Sequence, residues 1–192
     1  MARPRDPRRR TEILDAAIEH LAETGIANLS LRPLARALGH STRVLTHHFA
    51  DKDALITAVL ERLDEIQHGQ LRATEGWDDT SRGLGAVVRD AWRHHLAPEN
   101  LGATRLVHEI EGLAAAGRLG GRVPKFLADR ADFVAAALRA RGLAPDTARV
   151  HATFLNSAYA GLRADVLVTG DRVRTEAALA ELCALADSWT RA

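Results

Sequence analysis

The chain has 192 residues, 46% of them hydrophobic and 27% charged, with a formal net charge of +1. That length suits one ordinary domain or a small domain joined to a larger one, and the composition excludes a disordered or collagen-like chain. The longest apolar run, Phe133 to Leu138, falls far short of the ~18 to 20 residues that span a bilayer. A single cysteine, Cys183, cannot form an intramolecular disulfide, and the expectation is a cytoplasmic protein. The Arg-rich start runs directly into Glu12, Asp15, Glu19 and Glu23, which argues against a secretory signal.

The charge is unevenly spread. Residues 1–50 hold eight arginines and five acids, while residues 51–192 hold eighteen basic and twenty acidic residues. Arg3, Arg5, Arg8, Arg9 and Arg10 are interleaved with Pro4 and Pro7, which resist helix. Residues 1–7 therefore read as a flexible basic arm, suited either to nucleic acid or to solubility alone.

Apolar positions recur at three and four throughout, and period-two alternation of β-branched residues is absent, so the expected class is all-α. A first helix is predicted from about Arg9 to Thr24, closed by Gly25. Ser30 opens a short second helix in which Pro33 falls in the first turn, and Gly39 ends it. Ser41 caps a third helix from Thr42 to about Phe49, and Asp51 caps a fourth that reaches about Gln70. Five more follow: Thr80 to Leu96, a helix from about Asn100 to Gly117, Val123 to Arg141, Pro145 to Thr169, and Arg172 to Thr190. About nine helices are expected in total.

Short helix, Gly-containing turn, short helix is the spacing of a DNA-binding helix-turn-helix, whose second helix enters the major groove. At ~100° per residue, Thr42, Arg43, Thr46 and His47 share one arc of the third helix, and Val44, Leu45, His48 and Phe49 share the opposite one. The outer arc carries hydroxyls, a guanidinium and an imidazole and no acid, so each member can bond a base edge or a phosphate. Arg32 and Arg36 lie four apart on the outward side of the second helix, within reach of phosphates. Lys52 stands at the first turn of the fourth helix, where an ammonium and helix amides together favour anions. Arg43 is the best candidate for reading a guanine through O6 and N7.

These residues resemble a known family. The string LSLRPLARALGHSTRVLTHHFADKDALITAVLERL, from Leu29 to Leu63, is similar to the N-terminal domain of tetracycline-repressor-type (TetR family) transcriptional regulators. The shared pattern is carried by Ser30, Ala35 to Gly39, Ser41, Leu45, His47 to Phe49, Lys52, Asp53 and Leu55. Two positions depart from it: Arg43 stands where the family usually has Gly, and Thr46 where it usually has a phosphate-contacting Tyr. The resemblance implies a helix-turn-helix domain over residues 8–53, with the helix-turn-helix itself at about 31–50, and a helical ligand-binding and dimerisation domain over 54–192. It further implies a homodimeric repressor on a palindromic double-stranded operator, released when a small molecule binds the second domain, with the fourth helix as the lever. The DNA-contacting set carried over is Ser30, Arg32, Arg36, Ser41, Thr42, Arg43, Thr46, His47 and Lys52.

The C-terminal half is less distinctive. The eighth helix carries Val150, Phe154, Leu155, Ala158, Leu162 and Val166, and the ninth carries Leu179, Leu182, Cys183, Ala186 and Trp189. Such stripes serve a monomer core or a four-helix dimer interface equally well, and the resemblance selects the dimer through the last two helices. Candidate residues for an effector pocket enclosed by the fourth to eighth helices are Trp92, His95, His108, Glu109, Phe126, Phe133, Asn156 and Tyr159. Their character suits an apolar or amphipathic small molecule. No nucleophile elbow, phosphate-binding loop or His-Glu-x-x-His is present, and adjacent histidines such as His94 and His95 diverge too far on a helix to share a metal. No catalytic residue, metal or cofactor is expected, nor any membrane contact. The alternative reading is an all-α carrier or enzyme with an incidentally basic N-terminus.

Overall fold

The computed structural model describes residues 7–27, 29–74, 77, 80–119 and 123–190. Among them are nine helices and no strand: α1 (Pro7–Thr24), α2 (Leu31–Ala37), α3 (Thr42–His48), α4 (Lys52–Ala73), α5 (Leu84–His95), α6 (Leu101–Ala115), α7 (Val123–Ala140), α8 (Pro145–Thr169) and α9 (Arg172–Thr190). Residues 1–6 of the expected arm lie outside the described residues. Pro7, assigned to that arm, instead opens α1, because a proline at the first helical position gives up only an amide that would have no partner there. Helix α5 starts four residues later than expected, since Thr80 holds φ +56 and Gly83 is extended at φ −58, ψ 145. Among the described residues no helix is long and apolar enough to cross a membrane.

The chain packs as two compact units. The first comprises Met1–Glu65 and Pro98–Pro124, and the second Ile66–Ala97 and Lys125–Ala192. Helix α6 and the first part of α4 thus pack in the same unit as the first three helices.

In the first unit the apolar stripe of α1 (Ile13, Leu14, Ala17, Ile18, Leu21) is buried with Leu34 and Ala35 of α2, Leu45 of α3, and Leu55, Ile56 and Val59 of α4. Each such leucine or isoleucine contributes about 1.5 to 3 kcal/mol on burial. Leu106 and Ile110 of α6 are buried in the same unit, and α6 packs on α1. A Cβ at Gly102 would come within 3.0 Å of the Ala22 methyl, so glycine sets this close approach. Arg62 of α4 grips Asp15 of α1 with two hydrogen bonds, of 2.8 and 3.1 Å; the Asp15 bond is the main cause holding the Arg62 pKa above its ordinary value.

In the second unit α9 packs on both α5 and α8. Of the expected α9 stripe, Leu179, Leu182, Cys183 and Ala186 are buried within the chain, while Trp189 is half-buried. On α8 the expected stripe divides: Leu155 and Val166 are buried, whereas Val150 and Phe154 stay 66% and 49% exposed. Phe154 and Val150 lie ~100° to 140° around the helix from Leu155, beyond the width of one packed face. Burial pushes the Cys183 thiol pKa up, which leaves it an inert core residue.

Candidate nucleic-acid interface and ligand cavity

Helices α2 and α3 pack on each other across a turn built on Gly39 at φ +69, a conformation glycine adopts without steric cost. Two bonds close the end of α2, Gly39 N–H to the Arg36 carbonyl at 3.1 Å and His40 N–H to Ala35 at 2.8 Å. Ser41 then starts α3, its Oγ accepting from the Val44 amide at 3.4 Å. Ser30 occupies the corresponding position of α2 without a side-chain cap bond, leaving its hydroxyl exposed.

The two arcs of α3 fall where periodicity places them. Leu45 and Phe49 are buried and Val44 and His48 half-buried, while Arg43, Thr46 and His47 are exposed and Thr42 is half-buried. Arg32, Arg36 and Ser41 are exposed on the same structural motif, and Lys52 is half-buried. Neither helix carries an acid. Two details refine the set. The Thr46 hydroxyl lies 3.1 Å from the Thr42 carbonyl and 3.3 Å from that of Arg43, and donates to the helix backbone. At the start of α4, Asp51 Oδ1 accepts from the Ala54 amide at 2.7 Å, so that terminus has one free amide fewer to offer an anion beside Lys52.

A residue proposed for the pocket takes another place. Glu109 of α6 accepts hydrogen bonds from the amides of Ile26 at 2.9 Å and Ala27 at 2.8 Å, in the turn that joins α1 to α2. Gly25, at φ +76, lies so close that an added Cβ would sit 3.1 Å from Glu109 Oε2. Its neighbour His108 also belongs to the first unit, with Nδ1 3.6 Å from Glu111 Oε2.

The second unit contains a cavity that opens to solvent. His95, Phe133, Asn156 and Tyr159 line it. Trp92 does not line it; it is buried beside it, edge-on to Tyr159 at 5.7 Å. The Phe126 side chain lies outside the described residues. Gln67, His68, Trp77, Arg130 and Arg163 also form the wall, and sequence reading missed them. Phe133 stacks on His68 at 3.7 Å and on Trp77 at 4.9 Å between ring centres. Among the described residues no three His, Cys, Asp or Glu side chains are grouped to hold a metal.

His95 Nδ1 lies 2.8 Å from both the Ala91 carbonyl and the Tyr159 hydroxyl. A carbonyl only accepts, so Nδ1 carries the proton, and the Tyr159 oxygen accepts a share of it. Burial first, then the Arg163 charge, lowers the His95 pKa to about 3. Burial together with the Arg72 and Arg130 charges lowers that of His68 to about 4. Both rings are neutral at pH 7. Below pH ~6.5 the unfolded chain protonates His95 and the folded chain does not, so stability falls with acidification by up to about 1.4 kcal/mol per pH unit. The stability gap between wild type and His95→Gln in urea titrations should therefore narrow from pH 6.5 to 5. A constant gap would contradict the buried neutral ring.

The acid-free outer arc on a short helix-turn-helix defines a DNA-binding regulator by class. Residues 13–59 match the family model for bacterial regulatory proteins, tetR family. The HTH-type transcriptional regulator BetI of Escherichia coli (strain K12 / DH10B) is 28% identical over 100 residues, covering 44% of this chain and 51% of BetI. BetI of Klebsiella pneumoniae (strain 342) is 28% identical over 102 residues, covering 45% and 52%. The chain thus spans about half the length of the curated relatives it matches. Among solved structures, a TetR family member from Streptomyces coelicolor A3 aligns with TM-score 0.76 and 26% identity, covering 94% of this chain and 99% of that one. The multidrug binding protein EbrR complexed with ethidium aligns with TM-score 0.72 and 29% identity, covering 92% and 99%. Over residues 13–59 the chain thus matches the TetR family of transcriptional regulators, and its fold is similar to that of solved TetR-family structures.

Proposed function

We propose that this regulator is a repressor that binds a palindromic double-stranded operator as a homodimer in the cytoplasm and is released by a small-molecule effector. Residues 8–53 form the reader and 54–192 the sensor and dimerisation region. The observation that carries the reading is the exposed, acid-free surface formed by Arg43, Thr46 and His47 of α3 with Arg32 and Arg36 of α2. Ser30, Ser41, Thr42 and Lys52 complete the contact set. For the dimer, support comes from Val150 and Phe154 on α8 and Leu185 on α9, large apolar side chains left 42% to 66% exposed. Exposed apolar groups of this kind on adjacent helices suit an association surface. For the effector, support comes from the cavity of the second unit and from EbrR, which is complexed with ethidium in one solved structure and imidazole in another. Effector coupling of ~1 to 3 kcal/mol changes DNA affinity roughly 5- to 150-fold.

Fluorescence anisotropy with DNA flanking its own gene and with random duplex, across a salt series, tests the reading. Several phosphate contacts per dimer require a log-log slope steeper than about −2; a shallower slope at micromolar affinity would contradict it. Arg43→Ala is expected to relax base preference at one position per half-site at a cost of ~1 to 3 kcal/mol, whereas Lys52→Ala weakens all sequences alike. Equal losses on every sequence would reassign Arg43 to the phosphates.

A further inference from the structure

The cavity wall specifies more than apolar bulk. Two guanidinium groups line it, Arg130 at 8% and Arg163 at 2% exposure, and its described lining residues include no aspartate or glutamate. Arginines are almost never buried to this degree without an electrostatic reason. The remaining polar groups of the wall are weighted toward donation. Asn156 Nδ2 is buried with no hydrogen-bond partner, and Tyr159, whose oxygen accepts from His95, keeps its own proton to give. The Arg163 guanidinium lies 5.7 Å from the Tyr159 ring centre, and the charges of both arginines reach His95 and Tyr159. Both cavity histidines are neutral, so they neither add charge nor cancel it. Flat rings supply the rest, with Phe133 stacked on His68 and Trp77.

We propose that the cavity binds an aromatic or otherwise apolar carboxylate, its anionic group held by Arg130 and Arg163 and its apolar body set against Phe133 and Trp77. This rests on the reading of the cavity as the effector site. A planar carboxylate matches the guanidinium fork with two parallel hydrogen bonds, and the Asn156 amide and Tyr159 hydroxyl can donate to the same oxygens. A cation of equal size would meet two like charges with no carboxylate in the described wall to hold it.

Three probes that share one ring system and differ in charge separate the possibilities: 1-naphthoate, 1-naphthamide and 1-naphthylmethylammonium, titrated calorimetrically into the full chain at pH 7.5. Naphthoate should bind about tenfold or more tighter than the amide, with the ammonium weakest. Arg130→Gln and Arg163→Gln, checked for folding by circular dichroism, should each lower naphthoate affinity about tenfold more than naphthamide affinity. Ala160→Trp, which fills the cavity from its wall, should abolish naphthoate binding. Equal or tighter binding of the amide or the ammonium by the wild-type chain overturns the anion assignment and leaves the cavity as a ligand site. Binding of none of the three at millimolar concentration overturns the effector site itself. Naphthoate binding that survives Ala160→Trp places the anion site elsewhere and overturns the proposal.

Discussion

Alanine at Gly85 should lower the melting temperature by about 5 to 24 °C. The added Cβ would lie 2.5 Å from the Cys183 carbonyl oxygen and 2.7 Å from Asp187 Oδ2. The first of these is backbone in the middle of α9 and cannot rotate aside. Relief requires α5 to move away from α9, which would also lengthen the 2.7 Å bond from the Gly85 amide to Asp187 Oδ1. Overpacking in a close-packed interior costs ~1 to 3 kcal/mol, and loss of a hydrogen bond to a charged group adds ~1.5 to 3. A chain of this size loses roughly 2 to 4 °C per kcal/mol. Gly161→Ala is the control, because a Cβ there meets nothing within 4 Å and should leave the melt unchanged or slightly higher. Equal melting of wild type and Gly85→Ala would contradict the close α5–α9 approach.

Glu109→Ala should weaken DNA binding about tenfold or more and destabilise the first unit by ~1 to 3 kcal/mol, although Glu109 belongs to neither helix of the helix-turn-helix. Its carboxylate fixes the Ile26 and Ala27 amides, immediately before the helix-turn-helix. Without it the Ile26 N–H lacks its acceptor in a part-buried setting, a cost of ~1 to 3 kcal/mol, while the exposed Ala27 N–H can turn to water. The turn would then hold α2 less firmly, and every phosphate contact made from α2 and α3 would weaken together. Glu109→Gln retains one accepting oxygen and should fall between the two. Anisotropy and thermal melts of the three proteins measure both effects, and an unchanged operator affinity for Glu109→Ala would remove this role.

Local spacing carries most of the fold. Helices α8 and α9 match their expected bounds because Pro145, Gly170 and the period of 3.6 are all local signals, and the arcs of α3 follow from angle alone. What local pattern cannot supply is the partner of each face. Helix α6 reads as one more amphipathic segment, and only the fold shows it packed on α1, so periodicity alone does not separate His108 and Glu109 from the residues that line the cavity. The α9 stripe is likewise ambiguous until α5 is seen against it. Arg130 and Arg163 escaped notice because charge is normally read as surface. Their register holds the missing signal: Arg130 lies four before Val134 on the buried side of α7, and Arg163 lies four after Tyr159 and three before the buried Val166. A guanidinium in phase with an apolar stripe marks a cavity wall.

The Thr46 hydroxyl bears on the alphabet available to α3 in the proposed DNA complex. Because its proton is engaged by the Thr42 and Arg43 carbonyls, it shows a groove only lone pairs and a methyl group. It can therefore answer the exocyclic amines of cytosine or adenine, or pack on the thymine methyl, but it cannot donate to guanine. Arg43, one turn earlier on the same arc, has donors and no acceptor. If α3 enters a groove as proposed, the two side chains would be complementary letters, one matched to a purine that accepts and the other to a base that gives.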